Sequence, residues 1–396
     1  MTRAERKFFD FIQKNIIIIF LGAVTVCGIL LRAFGLDFQS DDFNSFLNPW
    51  WSQIQYGGIN GLAKQIGNYN IPYQIITYIL TLLPFGALHS YKLLSIIFDF
   101  VLAVSAAMLV YSFAQKHAKI KAAVTYALTF CSITVILNSS FWAQCDSIYV
   151  AFILLSIYFL KQEKNITSFI FVGIAFAFKL QTVFILPFYI FYYVSTRKIS
   201  ILHFLIIPVT DFVMCLPAIF LGRPVKDIIE IYLVQTDYGK LIQMNCPNFY
   251  ALICNGNDTT YYYLLKSFSI ILTLVVLGSA LCLVIYKKVD MTDKENILLT
   301  VIWTVFTCIM FLSSMHERYA YLLDIVLLIY SVVTMKRFWL PIACTLISLR
   351  GYCYYLFAYE VIDIKLTSVI YMIIYVYVTI VFVKEVILNK SPQPLK

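Results

Sequence analysis

Apolar residues run along this chain in long stretches separated by short charged breaks. Twelve runs stand out, at about 15 to 34, 90 to 112, 120 to 137, 144 to 160, 166 to 178, 180 to 194, 199 to 220, 261 to 286, 296 to 314, 318 to 335, 338 to 357 and 364 to 386. Crossing a bilayer takes roughly 20 apolar residues as helix, because lipid offers no partner to unpaired backbone groups. The pattern therefore predicts an all-α polytopic membrane protein with about 12 transmembrane helices. A thirteenth run, about 72 to 86, contains Pro72 and Pro84 and follows the polar stretch Gly67-Asn68-Tyr69-Asn70. It is expected to be a buried or re-entrant piece of a first outer loop, 35 to 89, carrying short interfacial or re-entrant helices. A second large outer loop spans 222 to 260, and the whole of 1–396 reads as one integral membrane domain.

Charge tests this count through the tendency of short cytoplasmic loops to carry lysine and arginine. With a cytoplasmic amino terminus and twelve spans, the inner loops hold 19 of the 30 basic residues and 7 of the 21 acidic ones, a net of +12. Everything else holds 11 against 14, a net of −3. Counting 72 to 86 as a full span would place the later basic loops outside. Both termini are therefore expected in the cytoplasm. The first apolar run has no small-residue cleavage pattern after it and is expected to be retained as an anchor.

Composition agrees, with 61% hydrophobic residues, 13% charged residues and a mean hydropathy of +0.83. The net charge of +9 reads as an orientation signal and an attraction to anionic inner-leaflet lipid; no basic stripe points to nucleic acid. The ten cysteines are scattered without a CxxC or Cys/His cluster and read as small buried hydrophobes. Cys246 and Cys254 share an outer segment, and whether they form a disulfide is left open.

Polar groups are costly near a membrane, so their positions carry information. They gather on one face. One outer segment holds Asp37, Asp41, Asp42, Asn44, Asn48, Trp50 and Trp51; another holds Asn138, Trp142, Gln144, Asp146 and Ser147. Lys179 and Gln181 break two apolar runs, and His316-Glu317-Arg318-Tyr319 breaks two more. Asp41 and Asp42 suit general-base work on a hydroxyl, or are simply solvated loop acids. Lys179 suits an anionic ligand, or snorkels to headgroups. Arg318 and His316 beside Glu317 suit a phosphate, or form a structural ion pair. Asp99, with Lys92 one to two turns earlier, pairs across the bundle or faces the cavity, the structural role being favoured. Trp50, Trp51 and Trp142 suit stacking on a sugar face or an isoprenoid. No glycine-rich phosphate loop, GxSxG, HExxH or DxD pattern is present, which counts against nucleotide-driven transport and nucleotide-sugar chemistry.

In this succession the chain resembles the GT-C superfamily of polyprenyl-phosphate-sugar-dependent glycosyltransferases. The resemblance is to the bacterial group related to the second mannosyltransferase of glycosylphosphatidylinositol assembly. It rests on Ser40-Asp41-Asp42-Phe43, Asn48-Pro49-Trp50, Asn68-Tyr69-Asn70-Ile71-Pro72-Tyr73, Lys92 to Asp99, Trp142-Ala-Gln144-Cys-Asp146-Ser147, Phe178-Lys179-Leu-Gln181, Asn245-Cys-Pro247-Asn248-Phe-Tyr250 and His316-Glu317-Arg318-Tyr319. Cys145 stands where the family more often has a serine or another small residue.

The resemblance implies an inverting transferase that moves a hexose, commonly mannose, from a polyprenyl-phosphate donor to a glycan or glycolipid acceptor. The reaction would occur at the outer face of a cell membrane of bacterial type. Asp42, directly before an aromatic residue, is the implied base, with Asp41 in reserve. Arg318, His316 and Lys179 would hold the donor phosphate. Trp142, Gln144, Asp146, Gln181, Glu317, Tyr319, Trp50 and Tyr69 are the remaining candidates for binding substrate. No cofactor is expected, and no ligand cluster in the sequence demands a divalent metal. The rival readings are a transporter or flippase for lipid-linked sugars, which predicts midplane charges and an internal repeat, and a glycan polymerase using a diphosphate-linked lipid.

Overall fold

The computed structural model describes residues 1–254 and 261–388. Helix α1 (Arg3–Ala33) opens on a capping box in which Glu5 N–H donates to Thr2 Oγ1 at 3.2 Å and Thr2 N–H to Glu5 Oε2 at 2.6 Å. That cap starts the helix twelve residues ahead of its apolar run. Two short helices follow, α2 (Asn48–Gly57) and α3 (Ile71–Thr81), each with a proline in its first turn, where the missing N–H costs nothing. Next come α4 (Ala87–Phe113), α5 (Ala118–Phe130), α6 (Ile133–Ile136), α7 (Asp146–Lys161), α8 (Asn165–Phe178), α9 (Leu186–Thr196), α10 (Ile206–Phe220) and α11 (Asp227–Thr236). Strand β1 (Gln243–Met244) and α12 (Phe249–Ile253) lead into α13 (Tyr262–Lys287) and α14 (Lys294–Phe311). Strand β2 (Met315–His316) precedes α15 (Tyr321–Thr334), α16 (Trp339–Phe357) and α17 (Ile364–Phe382).

Seven helices among the described residues are long and apolar enough to cross a membrane: α1, α4, Ile201–Phe220, α13, α14, α16 and Ile364–Ile387. The pair Ala118–Phe130 and Ile133–Phe141, bent by 46°, makes an eighth if taken as one span. The chain is thus all-α and of membrane-embedded character. Every one of the twelve apolar runs carries a helix, yet several of those helices are short. Helices α8 and α15 have 14 residues each, rising about 21 Å against a hydrocarbon core of roughly 30 Å. They stop early because their ends are turned out of helical geometry at Lys179 and at 312–320. Run 72 to 86 yields only the 11-residue α3, buried along Ile71, Tyr73, Gln74, Thr77 and Leu80.

Helix α4 packs along α5 and α7, and α8 packs along α7 and α10. Helices α14 and α15 are the most enclosed, whereas α1 is mostly exposed. The loops separate into two groups. At one end Lys198 pairs with Glu163 at 2.8 Å, Lys336 with Glu295 at 2.9 Å and Arg337 with Glu385, while Lys121 Nζ donates to Val333 O at 2.9 Å. At the other end 34–42, 67–70, 142–146, 179–181 and 312–320 meet. The carboxyl terminus from 389 on, and 255–260 of the second large loop, lie outside the described residues.

One buried ion pair locks the start of the bundle. Arg32, at the end of α1, donates to Asp99 Oδ2 through Nη2 at 2.8 Å and Nε at 2.9 Å, and to Phe130 O at 2.9 Å. Arg32, rather than Lys92, is therefore the partner of Asp99. Lys92 instead donates to Gly35 O at 2.6 Å, Leu36 O at 3.0 Å and Phe38 O, tying down the chain that leaves α1. Because removing one partner strands a buried charge, Asp99→Ala is expected to destabilise the protein by about 3–5 kcal/mol. Arg32→Met combined with Asp99→Leu should cost much less. Thermal unfolding of the purified variants in detergent checks both.

Candidate active site

The chain pinned by Lys92 delivers Ser40, whose hydroxyl accepts from Phe43 N–H at 3.2 Å and donates to Trp142 O at 3.2 Å. A helical turn starts there and runs into a π-turn at Phe43–Leu47. Neighbouring residues on such a turn point about 100° apart, so Asp41 and Asp42 cannot share a direction. Phe43 and Leu47 enter a small core with Trp51 and Tyr91; Asp42 faces inward and Asp41 is exposed. Trp51 is thereby committed to packing.

Asp42 is met by the segment between α6 and α7. A π-turn at Leu137–Phe141 precedes Trp142, and Ala143 holds a left-handed φ of 62°. That twist aims the side chains on both sides of it at one oxygen. Trp142 Nε1 donates to Asp42 Oδ2 at 2.7 Å and Gln144 Nε2 donates to the same oxygen at 2.9 Å. Tyr69 O–H donates to Gln144 Oε1 at 2.9 Å, and Tyr355 O–H donates to Asp42 Oδ1 at 2.5 Å.

Cations arrive from two helix breaks. Lys179, extended between α8 and the 3₁₀ turn at Leu180–Ile185, pairs with Asp146 Oδ1, while Asn138 Nδ2 donates to Asp146 Oδ2 at 2.8 Å. Arg318 lies 3.7 Å from Asp146, 3.8 Å from Asp42 and 3.6 Å from Glu317, and its guanidinium sits 4.9 Å from the Trp142 ring centroid. Its buried Nε has no hydrogen-bond partner among the described residues. The loop bearing Arg318 is held by parallel pairing of β1 with β2, Gln243 opposite Met315 and Met244 opposite His316. Asn248 Nδ2 donates to Leu312 O at 3.0 Å, and Arg350 Nη1 to Asn245 Oδ1 at 2.6 Å. This explains the Asn245 to Tyr250 motif as scaffolding for residues 315–318. Cys246 is a buried free thiol, so no Cys246–Cys254 disulfide is formed.

Burial, reinforced by the Arg318 and Lys179 charges, pushes His316 well below its ordinary value, leaving a neutral imidazole. Burial pushes Glu317 up to about 7 against the pull of Arg318.

These groups surround a cavity of about 510 Å³. Asp42, Trp50, Tyr69, Gln144, Lys179, Gln181, His316, Arg318 and Tyr319 line it; Asp41 does not. Trp142, Asp146 and Glu317 are buried directly behind the wall. Trp142 has no exposed face and acts through its N–H on Asp42 rather than by stacking on a ligand. Sequence reasoning missed Tyr355, Gln235 and Lys266, which also line the cavity, and Asn138 as a partner of Asp146. Tyr355 lies in the last turn of an apolar run among other tyrosines, so only contact reveals it. Among the described residues no three His, Cys, Asp or Glu side chains converge as metal ligands.

No family model matches the chain, and no curated protein is significantly similar to it. The class defined by fold and site is an all-α membrane-embedded protein with an ionic cavity at the end of its helix bundle where the site loops meet.

Two outcomes are expected. A Cβ on Gly351 would sit 2.6 Å from Glu317 Cβ, so Gly351→Ala should displace 316–318 and cost about 1–3 kcal/mol, seen in thermal unfolding. Glu317 has a folded-state pKa raised from 4.5 to about 7, so the native state binds more protons than the unfolded one in that window and stability falls as pH rises through it. Thermal midpoints of Glu317→Gln and the wild type at pH 5 and pH 8 should diverge in favour of the variant, by on the order of 2–3 kcal/mol.

Proposed function

We propose that the protein is an inverting glycosyltransferase that moves a hexose from a polyprenyl-phosphate-linked donor to a glycan or glycolipid acceptor. The observation that carries this reading is the pairing on one cavity wall of a carboxylate and a guanidinium, Asp42 and Arg318, held 3.8 Å apart without a hydrogen bond between them. Coulomb attraction draws the two together, but Asp42 is held in place by donors from Trp142, Gln144 and Tyr355, which leaves the guanidinium open to an anion. Asp42 takes the proton of the acceptor hydroxyl as the new C–O bond forms. The bond to the donor phosphate breaks with its electron pair on the leaving oxygen, where Arg318 and Lys179 stabilise the charge and the neutral His316 donates a hydrogen bond. Trp50, Tyr69, Gln144, Gln181 and Tyr319 offer aromatic and hydrogen-bonding surface to sugars.

The cavity wall also carries apolar side chains, Phe46, Phe178, Phe184, Ile270 and Leu312. That suits the first isoprene units of a lipid-linked donor. In this reading all twelve apolar helices traverse or enter the membrane, the two termini and the basic loops face the cytoplasm, and the cavity opens outward at a cell membrane of bacterial type. The two-ended segregation of loops and the charge count support it. The family resemblance, with mannose as the common donor sugar, points the same way.

Purified protein, membrane-extracted acceptors and radiolabelled polyprenyl-phosphate mannose or glucose give the test. Wild type is expected to transfer label from one donor, Asp42→Asn to lose at least ~100-fold, and the exposed Asp41→Asn to lose far less. Arg318→Ala should weaken both donor binding and turnover. Equal losses at Asp41 and Asp42 would sink the assignment of the base. Silence with both donors, together with protein-dependent movement of labelled lipid across vesicles, would replace the transferase reading with a flippase.

A further inference from the structure

An ionised carboxylate offers about four lone-pair positions. On Asp42 Oδ2, Trp142 and Gln144 take two; on Oδ1, Tyr355 takes one, which leaves one position on a side chain that lines the cavity. Tyr355 comes from the last turn of α16, more than thirty residues beyond the last motif of the sequence succession. Its ring is stacked on Trp142, with centroids 4.2 Å apart and planes 14° from parallel. The hydroxyl therefore cannot swing away without unstacking two aromatic side chains, one of them fully buried.

The other charged and titratable groups near Asp42 are Arg318 and Glu317 from the 312–320 loop, Asp146 from the start of α7, and Tyr69 from the turn before α3. Arg318 is the only cation among them, and Coulomb attraction draws Asp42 toward it. The neutral donors oppose that movement. Of the three, only Tyr355 holds the second oxygen, so it fixes the rotation of the carboxylate about its own axis.

We propose that Tyr355 is a positioning residue that fixes the rotation of the Asp42 carboxylate, leaving one Oδ1 lone pair for the acceptor hydroxyl, while Trp142 and Gln144 hold Oδ2 off Arg318 and leave the guanidinium for the anionic leaving group. The inference rests on the reading of Asp42 as the base. Its core, the hydroxyl's hold on the Asp42 carboxylate, is measurable without turnover.

Tyr355→Phe retains the stack and removes only the hydroxyl. In the transfer assay the variant should lose about 10-fold or more in kcat while its donor KM stays within about 3-fold of wild type. The acid limb of its rate profile should move to higher pH by about 0.5–1 unit, because a donor that favoured the charged carboxylate is gone. Added to Asp42→Asn, the change should cause no further loss. In parallel, Asp42 is modified with a water-soluble carbodiimide and glycinamide across a pH series and followed by peptide mass mapping. This reagent activates protonated carboxyl groups, so the midpoint should rise by the same amount in Tyr355→Phe. An unchanged carbodiimide midpoint overturns the proposal, as does a loss confined to KM or one that adds to Asp42→Asn. If the wild type transfers no sugar while the carbodiimide midpoint still moves, the transferase reading falls and the hold of Tyr355 on Asp42 stands.

Discussion

Asp146 stands in the first turn of α7 with its carboxylate almost wholly removed from solvent. There the helix N-terminus favours its charge, but a buried carboxylate still needs cations and donors. Lys179 comes from the break between α8 and α9, Arg318 from the loop before α15, and Asn138 from the π-turn before α7. One residue further along, Ser147 bonds to Asp99 and lies 2.8 Å from the Tyr321 hydroxyl. Through Asp99 the same turn of α7 reaches Arg32 at the end of α1. Segments around Lys179, Arg318 and Asp99, distant in sequence, are thus fixed to two adjacent residues, and Arg32 is reached through Asp99. The cavity inherits its shape from that requirement.

The site is built from segments that decline to be regular helix. Ala143, Asn245 and Ser314 hold left-handed backbone without being glycine, and π-turns precede Trp142 and follow Asp42. Residues in such conformations cost of order 1–3 kcal/mol each and persist only where the surroundings over-determine them. The enclosed packing of α14 and α15 supplies those surroundings on one side, and the small core around Phe43, Trp51 and Tyr91 supplies them on the other. Helices α8 and α15 are short for the same reason: the residues that would complete them carry Lys179 and Arg318 into the cavity.

Charge in the cavity is nearly balanced. With His316 neutral and Glu317 raised toward neutrality, Asp42 and Asp146 face Arg318 and Lys179, and the lining Lys266 is paired with Asp237 at 2.5 Å. Asp146 engages Lys179 directly, whereas Arg318 stands more than 3.5 Å from each of its carboxylates. The guanidinium is therefore the most available cation, backed by the Trp142 ring. An anion can approach it without first displacing a hydrogen bond.

By itself the sequence determined the all-α, membrane-embedded class, because long apolar runs have few other ways to satisfy their backbone. It also located most of the cavity, because ionisable residues interrupting such runs are too costly to be incidental; Asp42, Gln144, Lys179, His316 and Arg318 were legible on that ground. The resemblance preferred Asp42 to Asp41, but which of the two lines the cavity was decided by the tertiary structure, since a helical turn separates adjacent side chains by direction and packing of Phe43 chooses which one faces in. It paired Asp99 with Arg32 instead of Lys92, and put Trp142 behind the wall as a donor rather than in the cavity as a platform. It also brought Tyr355 onto the carboxylate. Composition and spacing report what a residue costs where it lies along the chain, and contacts between residues a hundred or three hundred positions apart are set by how the helices pack.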